Sequence, residues 1–207
     1  MRGRFISLEG GEGAGKSTQA RRLAQALRER GHEVVETREP GGSPGAEAIR
    51  SLLLEGAPER WTAESEALLF AAARADHVAR VVRPALAAGR WVVSDRFVDS
   101  SIAYQGIAGG VGPAVVGALH EIGSGGLYPD RTLILALSAS EGGRRSAARD
   151  GTAGDRIAAR GAEYHARVAE AFESLAQGEP ERFAIVDASG GEEEVTDRLI
   201  AAIGDLL

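Results

Sequence analysis

Residues 10–17 read GGEGAGKS and fit the pattern G-x-x-x-x-G-K-[ST], with a short strand-like run before them and a helical pattern after them. That context constrains the chain more than any other feature. Gly10, Gly13 and Gly15 let the backbone curl until successive N–H groups point inward, and the N-terminus of the following helix adds partial positive charge, so the loop suits phosphate oxygens. Lys16 supplies a point charge for the β and γ phosphates, and Ser17 a hydroxyl suited to Mg²⁺. A glycine-rich turn that merely joins a strand to a helix is the competing explanation. Against it, 23 of the 24 basic residues are Arg, and the single Lys stands at this position.

With 207 residues, 43% of them hydrophobic, the chain is sized for one core and one domain. Its 28 glycines follow no G-X-Y period and are separated by periodic segments, which excludes collagen and low-complexity disorder. Without cysteine there is no disulfide, thiolate zinc site, iron–sulfur cluster or thiol nucleophile. The formal charge of −6 is spread along the chain without a basic tail, which argues against nucleic acid or a membrane surface as partner. The opening MRGRFISLEGG has no apolar signal core, and no apolar run approaches the length of a membrane span, so a cytoplasmic location is expected.

Strands are expected at Arg4 to Glu9, Glu33 to Thr37, Trp91 to Val93, Thr132 to Leu137 and Phe183 to Val186. Helical spacing marks Lys16 to Arg30, a short segment carrying Ile49, Leu52 and Leu53, and a long stretch from Ala63 to Ala88. Thr62 is its candidate N-cap, with Glu64 and Glu66 in its first turn. Val111, Val115, Leu119 and Ile122 predict a helix inside the glycine-rich segment 106–126. Another helix runs to about Ala176, and Ser189 with Glu192 in capping-box spacing predicts the start of the last. Strands alternating with helices imply an α/β fold, a parallel sheet covered on both faces, as a single domain over 1–207.

The kind of phosphate-loop protein is narrowed by what is missing. Guanine-reading proteins need an Asn-Lys-x-Asp motif, and there is no second lysine to build one. Arg38, Arg96, Arg145 and Arg149 fall on expected loops, and converging cations are what phosphoryl transfer between two anions requires. This favours a small-molecule kinase. In chain order the sequence carries GGEGAGKST, TREPGGS, IRSLLLEG, LLFAAARADH, SDRFVDSSIAYQG, PDRTLIL and a basic segment closing on DRI, and over essentially its whole length it resembles the thymidylate kinase family. TREPGG and DSSxAYQG are far more specific than the phosphate loop. The resemblance implies a three-layer P-loop nucleoside monophosphate kinase fold with a five-stranded parallel sheet flanked by helices and a basic lid at about 141–157. It also implies phosphoryl transfer from ATP–Mg²⁺ to dTMP, and a homodimer. A kinase for another nucleoside monophosphate and a regulatory P-loop ATPase are the alternatives.

The same resemblance distributes roles. ATP falls on Gly10, Gly11, Glu12, Gly13, Ala14, Gly15, Lys16, Ser17 and Thr18, with Mg²⁺ at Ser17 and Asp95. Phe70 and Arg74, four apart on one helix face, are placed against thymine, the ring stacking and the guanidinium bonding a base oxygen; by spacing alone they are equally a core ring and a surface charge. Asp95 and Arg96 follow an apolar strand at the edge where open α/β sheets bind ligands, and Arg96 would bridge the acceptor phosphate and the incoming one; a structural ion pair is the rival. Ser101 and Gln105 are placed near the base, Tyr104 against the sugar, Glu39 and Arg50 in the acceptor pocket, and Glu12 on the acceptor side of the loop. Lys16, Arg96, Arg145 and Arg149 form the expected catalytic set. The last two belong to the lid, in the manner of the bacterial form with Glu in its phosphate loop, although a solvated basic helix face has the same sequence signature. Gly109, Ala136 and Ala158 depart from the family pattern, which commonly has Arg, a polar residue and Glu there.

Overall fold

The computed structural model describes residues 2–138, 141–142, 144–145 and 156–207. Its strands are β1 Phe5–Glu9, β2 Val34–Arg38, β3 Trp91–Asp95, β4 Arg131–Ala136 and β5 Phe183–Asp187, each within two residues of expectation. They form one parallel sheet in the order β2-β3-β1-β4-β5. β1 is central and every one of its residues is buried, because helices cover both faces of a parallel sheet.

The period of two sorts the strand residues between the two faces of the sheet. Ile6, Leu8, Val93, Leu133 and Leu135 pack on α1 (Lys16–Glu29) and the last helix, where they meet Leu23, Leu27, Val195 and Leu199. Phe5 and Val92 point to the opposite layer and meet Val82, Leu86 and Phe97. In chain order that layer includes α2 (Pro44–Leu54), α3 (Ala63–His77), α4 (Arg83–Ala87), α5 (Val98–Ser101), α6 (Pro113–Ser124) and α7 (Ala162–Gly178); the last helix, α8, is Glu192–Ala202.

Three details differ from the sequence-based expectations, while the cap and the first-turn acids of α3 stand as expected. The stretch 63–88 is not one α-helix, since a π-helical turn at Val78–Val82 separates α3 from α4; Pro84 has no N–H to continue the α-type ladder there. Thr62 does cap α3, its Oγ1 accepting from Ser65 N at 3.2 Å. Of the two first-turn acids, Glu64 is exposed but Glu66 is buried. α6 begins at Pro113, after Val111, and buries Val116, His120 and Ser124, leaving Val115 and Ile122 exposed. Finally, α8 starts after Gly191, whose N–H is bonded by Glu194, because Ser189 spends its hydroxyl and N–H on Asp187.

Candidate active site

The carboxyl ends of β1, β2 and β3 lie side by side, with Asp95 in register with both Leu8 and Arg38, so the loops that follow these strands open into one cleft of about 700 Å³. Such an edge is where open α/β sheets bind ligands. The phosphate loop forms one end. Gly13 and Gly15 adopt φ of 73° and 86°, a conformation that favours glycine, and Gly15 passes directly into α1. A Cβ on Gly13 would lie 2.1 Å from the carbonyl oxygen of Gly142, so the loop is in backbone contact with Gly142.

Lys16 is buried and donates from Nζ to the Gly11 carbonyl at 2.6 Å. Burial, reinforced by the Arg96 charge, lowers its ammonium from 10.5 to about 8, against the opposing pull of Glu12, Asp95 and Glu9. Ser17 Oγ donates to Asp95 Oδ2 at 2.5 Å, and Asp95 Oδ1 is a buried oxygen with no hydrogen-bond partner among the described residues. A hydroxyl and a carboxylate with an unused oxygen fit Mg²⁺, a hard cation that is usually held by one or two protein oxygens together with phosphate and water.

Arg96 is the one non-glycine with positive φ (69°) among the described residues, a strained conformation that the surroundings must hold. Its N–H bonds Leu8 O at 3.0 Å and its carbonyl accepts from Ser94 Oγ at 2.7 Å. Its guanidinium donates to Glu12 Oε1 at 2.6 Å and Ser100 Oγ at 3.2 Å, and lies 5.0 Å from the centre of the Tyr104 ring. Glu9, fully buried at the end of β1, fixes the next link by accepting from Phe97 N at 2.7 Å and Ser100 Oγ at 2.5 Å. Burial, with the nearby Asp99, raises the Glu9 carboxyl well above the ordinary carboxylate range.

The far end of the cleft is a buried polar cluster drawn from three segments: the end of β2 with the loop after it, α3 and α5. Arg74 donates from Nε to Glu39 Oε2 at 2.8 Å and from Nη2 to Ser101 Oγ at 2.5 Å. Glu39 is also bonded to His77 Nδ1 at 2.9 Å, and His77 Nε2 to Thr37 Oγ1 at 2.7 Å. Arg74 Nη1 has no partner among the described residues, and Phe70 lines the cleft one turn away. Arg50 reaches the cleft with Nη1 on Pro40 O at 2.6 Å. Tyr104 and Gln105 sit on a second π-helical turn, Ile102–Ala108, a distortion that often accompanies functional sites.

Of the residues singled out by sequence, Glu12, Gly13, Gly15, Lys16, Ser17, Glu39, Arg50, Phe70, Arg74, Asp95, Arg96, Ser101, Tyr104 and Gln105 all border this one cleft. Gly10, Gly11 and Ala14 belong to the loop and Thr18 to α1, and none of the four lines the cleft: Gly11 offers its carbonyl to Lys16, and Ala14 faces the core. Arg145 is not brought to the cleft. It pairs with Glu141 Oε1 at 2.5 Å and with Ala188 O at 3.2 Å, while Arg149 lies outside the described residues. Sequence reasoning passed over Glu9, Ser100 and Glu66. A carboxylate closing the strand FISLE directly before the phosphate loop was a signal for the first, and the spacing of 66, 70 and 74 on one helix face was a signal for the last.

A phosphate loop facing a second polar pocket across one sheet edge defines a phosphotransferase of the P-loop nucleoside monophosphate kinase fold. The thymidylate kinase family model matches residues 8–199. The chain is 60% identical to the thymidylate kinase of Rhizorhabdus wittichii over 207 residues, all of both chains, and 50% identical to that of Caulobacter vibrioides, covering 99% and 96% of the two. The crystal structure of thymidylate kinase from Ehrlichia chaffeensis superposes with a TM-score of 0.80 at 29% identity, covering 98% of this chain and 100% of that one. The chain belongs to the thymidylate kinase family.

Proposed function

We propose that the chain transfers the γ-phosphoryl group of ATP to the 5′-phosphate of dTMP, giving dTDP. The observation that carries this reading is the joining, in one cleft, of the phosphate loop and the Glu39–Arg74–Ser101 cluster, with Arg96 between them. Loop N–H groups and Lys16 hold the donor phosphates. Arg96 changes partner from Glu12 to the acceptor phosphate and the transferring group, which draws the two anions together. Phe70 stacks on the base, Arg74 Nη1 bonds a base oxygen, Tyr104 lies against the sugar, and Glu39 and Arg50 complete the acceptor pocket. Ser17 and Asp95 would hold Mg²⁺, which supplies charge neutralisation on the phosphate oxygens.

A coupled ATP assay across nucleoside monophosphates tests the reading, with dTMP expected to be the preferred acceptor and UMP and AMP poor ones. In the same assay Phe70→Ala and Arg74→Ala should each raise KM for dTMP by about tenfold or more, from the loss of a stacked ring or a base hydrogen bond, and leave KM for ATP nearly unchanged. The reverse pattern would refute the acceptor assignment.

The active form is proposed to be a homodimer acting in the cytoplasm. Helices α3 and α6 pack together with Gly123 against Ala75, and the neighbouring Leu68, Val115 and Ile122 are 55%, 48% and 85% exposed. Large apolar side chains left in water on two packed helices are what a covered face requires. Sedimentation should give twice the chain mass for the native protein and the chain mass for Ile122→Glu; a native monomer would overturn the assignment.

A further inference from the structure

Glu66 lies on α3 one turn before Phe70 and two before Arg74, and it is 1% exposed. Three donors converge on its carboxylate. Gln105 Nε2 is 2.9 Å from Oε1, Arg160 Nη2 is 2.7 Å from Oε2, and Arg156 Nη2 bonds the same Oε2. Arg156 is itself fully buried, with Nε on Leu53 O at 3.0 Å and Nη1 on Pro58 O at 2.9 Å, so the clamp joins α3 to the chain emerging from the lid. A carboxylate flanked by two guanidinium groups only accepts hydrogen bonds. The Gln105 amide therefore has to turn its NH₂ toward Glu66, because the opposite orientation sets oxygen against oxygen. Gln105 Oε1 has no protein partner among the described residues, and Gln105 lines the cleft alongside Phe70 and Ser101.

We infer that Glu66 is a specificity-determining positioning residue. By locking the Gln105 amide it presents the cleft with an acceptor, which selects a pyrimidine carrying a ring N–H over one carrying a ring acceptor, and it ties that choice to the lid stem through Arg156 and Arg160. The inference rests on Gln105 facing the base. Thymine has an N–H at ring position 3, where cytosine has a lone pair. An acceptor locked in place bonds the first and opposes the second, whereas an amide free to turn over serves either.

The test compares kcat/KM for dTMP and dCMP in the native protein, Glu66→Gln, Gln105→Ala and the double variant. Glutamine at 66 both donates and accepts, so it releases the neighbouring amide. The dTMP-to-dCMP preference should fall about tenfold or more, chiefly through KM, and should fall no further when Glu66→Gln is added to Gln105→Ala. A lowered Tm with an unchanged preference would mean that Glu66 is structural only and would overturn the inference. Should Glu66→Gln fail to fold, Glu66→Asp keeps the charge opposite both arginines while withdrawing from Gln105, and carries the same expectation. On the native protein, dTMP methylated at N3 should be at least tenfold poorer than dTMP; equal turnover of the two overturns the inference whatever the variants do. Absence of dTMP turnover in the native protein would sink the thymidylate reading instead, so the two failures are distinguishable.

Discussion

Lys16→Ala is expected to lower kcat by about 10³-fold or more, and Lys16→Arg to recover little of it, because a planar guanidinium does not fit the space in which a compact ammonium reaches the Gly11 carbonyl. The same residue costs the fold stability. Its ammonium is held down to about 8 from 10.5, chiefly by burial. At neutral pH the lysine is charged in both the folded and unfolded chains, and the folded state bears the desolvation. As the pH rises through 8 the folded state gives up the proton while the unfolded state keeps it to 10.5, so stability is recovered in that window. Lys16→Met should therefore be inactive yet more stable at pH 7, by on the order of 3 kcal/mol at most, with the advantage vanishing toward pH 10. Thermal unfolding of both proteins from pH 6 to 10 reads this directly. A methionine variant less stable than the native chain at pH 7 would show that phosphate-loop packing, rather than the buried charge, dominates.

Arg96→Ala should reduce kcat/KM for dTMP by roughly 10²–10³-fold, acting on both kcat and KM, since its guanidinium already stands in the cleft and, in the proposed role, would meet the acceptor in ground and transition states alike. Arg96→Lys should remain close to the alanine variant, because one point charge cannot span two phosphates. Arg145 makes the contrast. It is held on Glu141 away from the cleft, so it reaches the transferring group only by leaving that carboxylate; on the proposed catalytic role Arg145→Ala should lower kcat with little change in either KM. Single-turnover kinetics separate the three. A chemical step within threefold of native in Arg145→Ala would remove Arg145 from the catalytic set.

The sheet was legible because apolar runs bounded by glycines have few other uses, and the phosphate loop because its spacing is dictated by the anion it surrounds. Other features were not legible, for identifiable reasons. Both π-helical turns insert extra residues per turn without changing residue chemistry, so a 3.6-residue spacing carries across them unnoticed. On α6, Val115 and Ile122 satisfy the periodicity of a core face while the buried face is Val116, His120 and Ser124; apolar spacing cannot tell a face that meets its own core from one left for another surface. The resemblance put Glu39, Arg74 and Ser101 in one pocket, but not the hydrogen bonds that join them, because they are far apart in sequence and each one alone reads as a solvated polar side chain. Glu66 was assigned to helix-dipole compensation because a first-turn acid usually needs no other explanation.

The backbone contact between Gly13 and Gly142 sets a rule for recombining parts of such chains. A side chain on the first would drive its Cβ to 2.1 Å from the second's carbonyl oxygen, and one on the second to 2.9 Å from the carbonyl oxygen of Glu12. Each substitution takes away space that the other cannot return, so the two positions cannot drift in compensation. A segment transplanted at this point from a sibling enzyme has to bring its own glycine at 142, or the graft will prise open the phosphate loop it packs against.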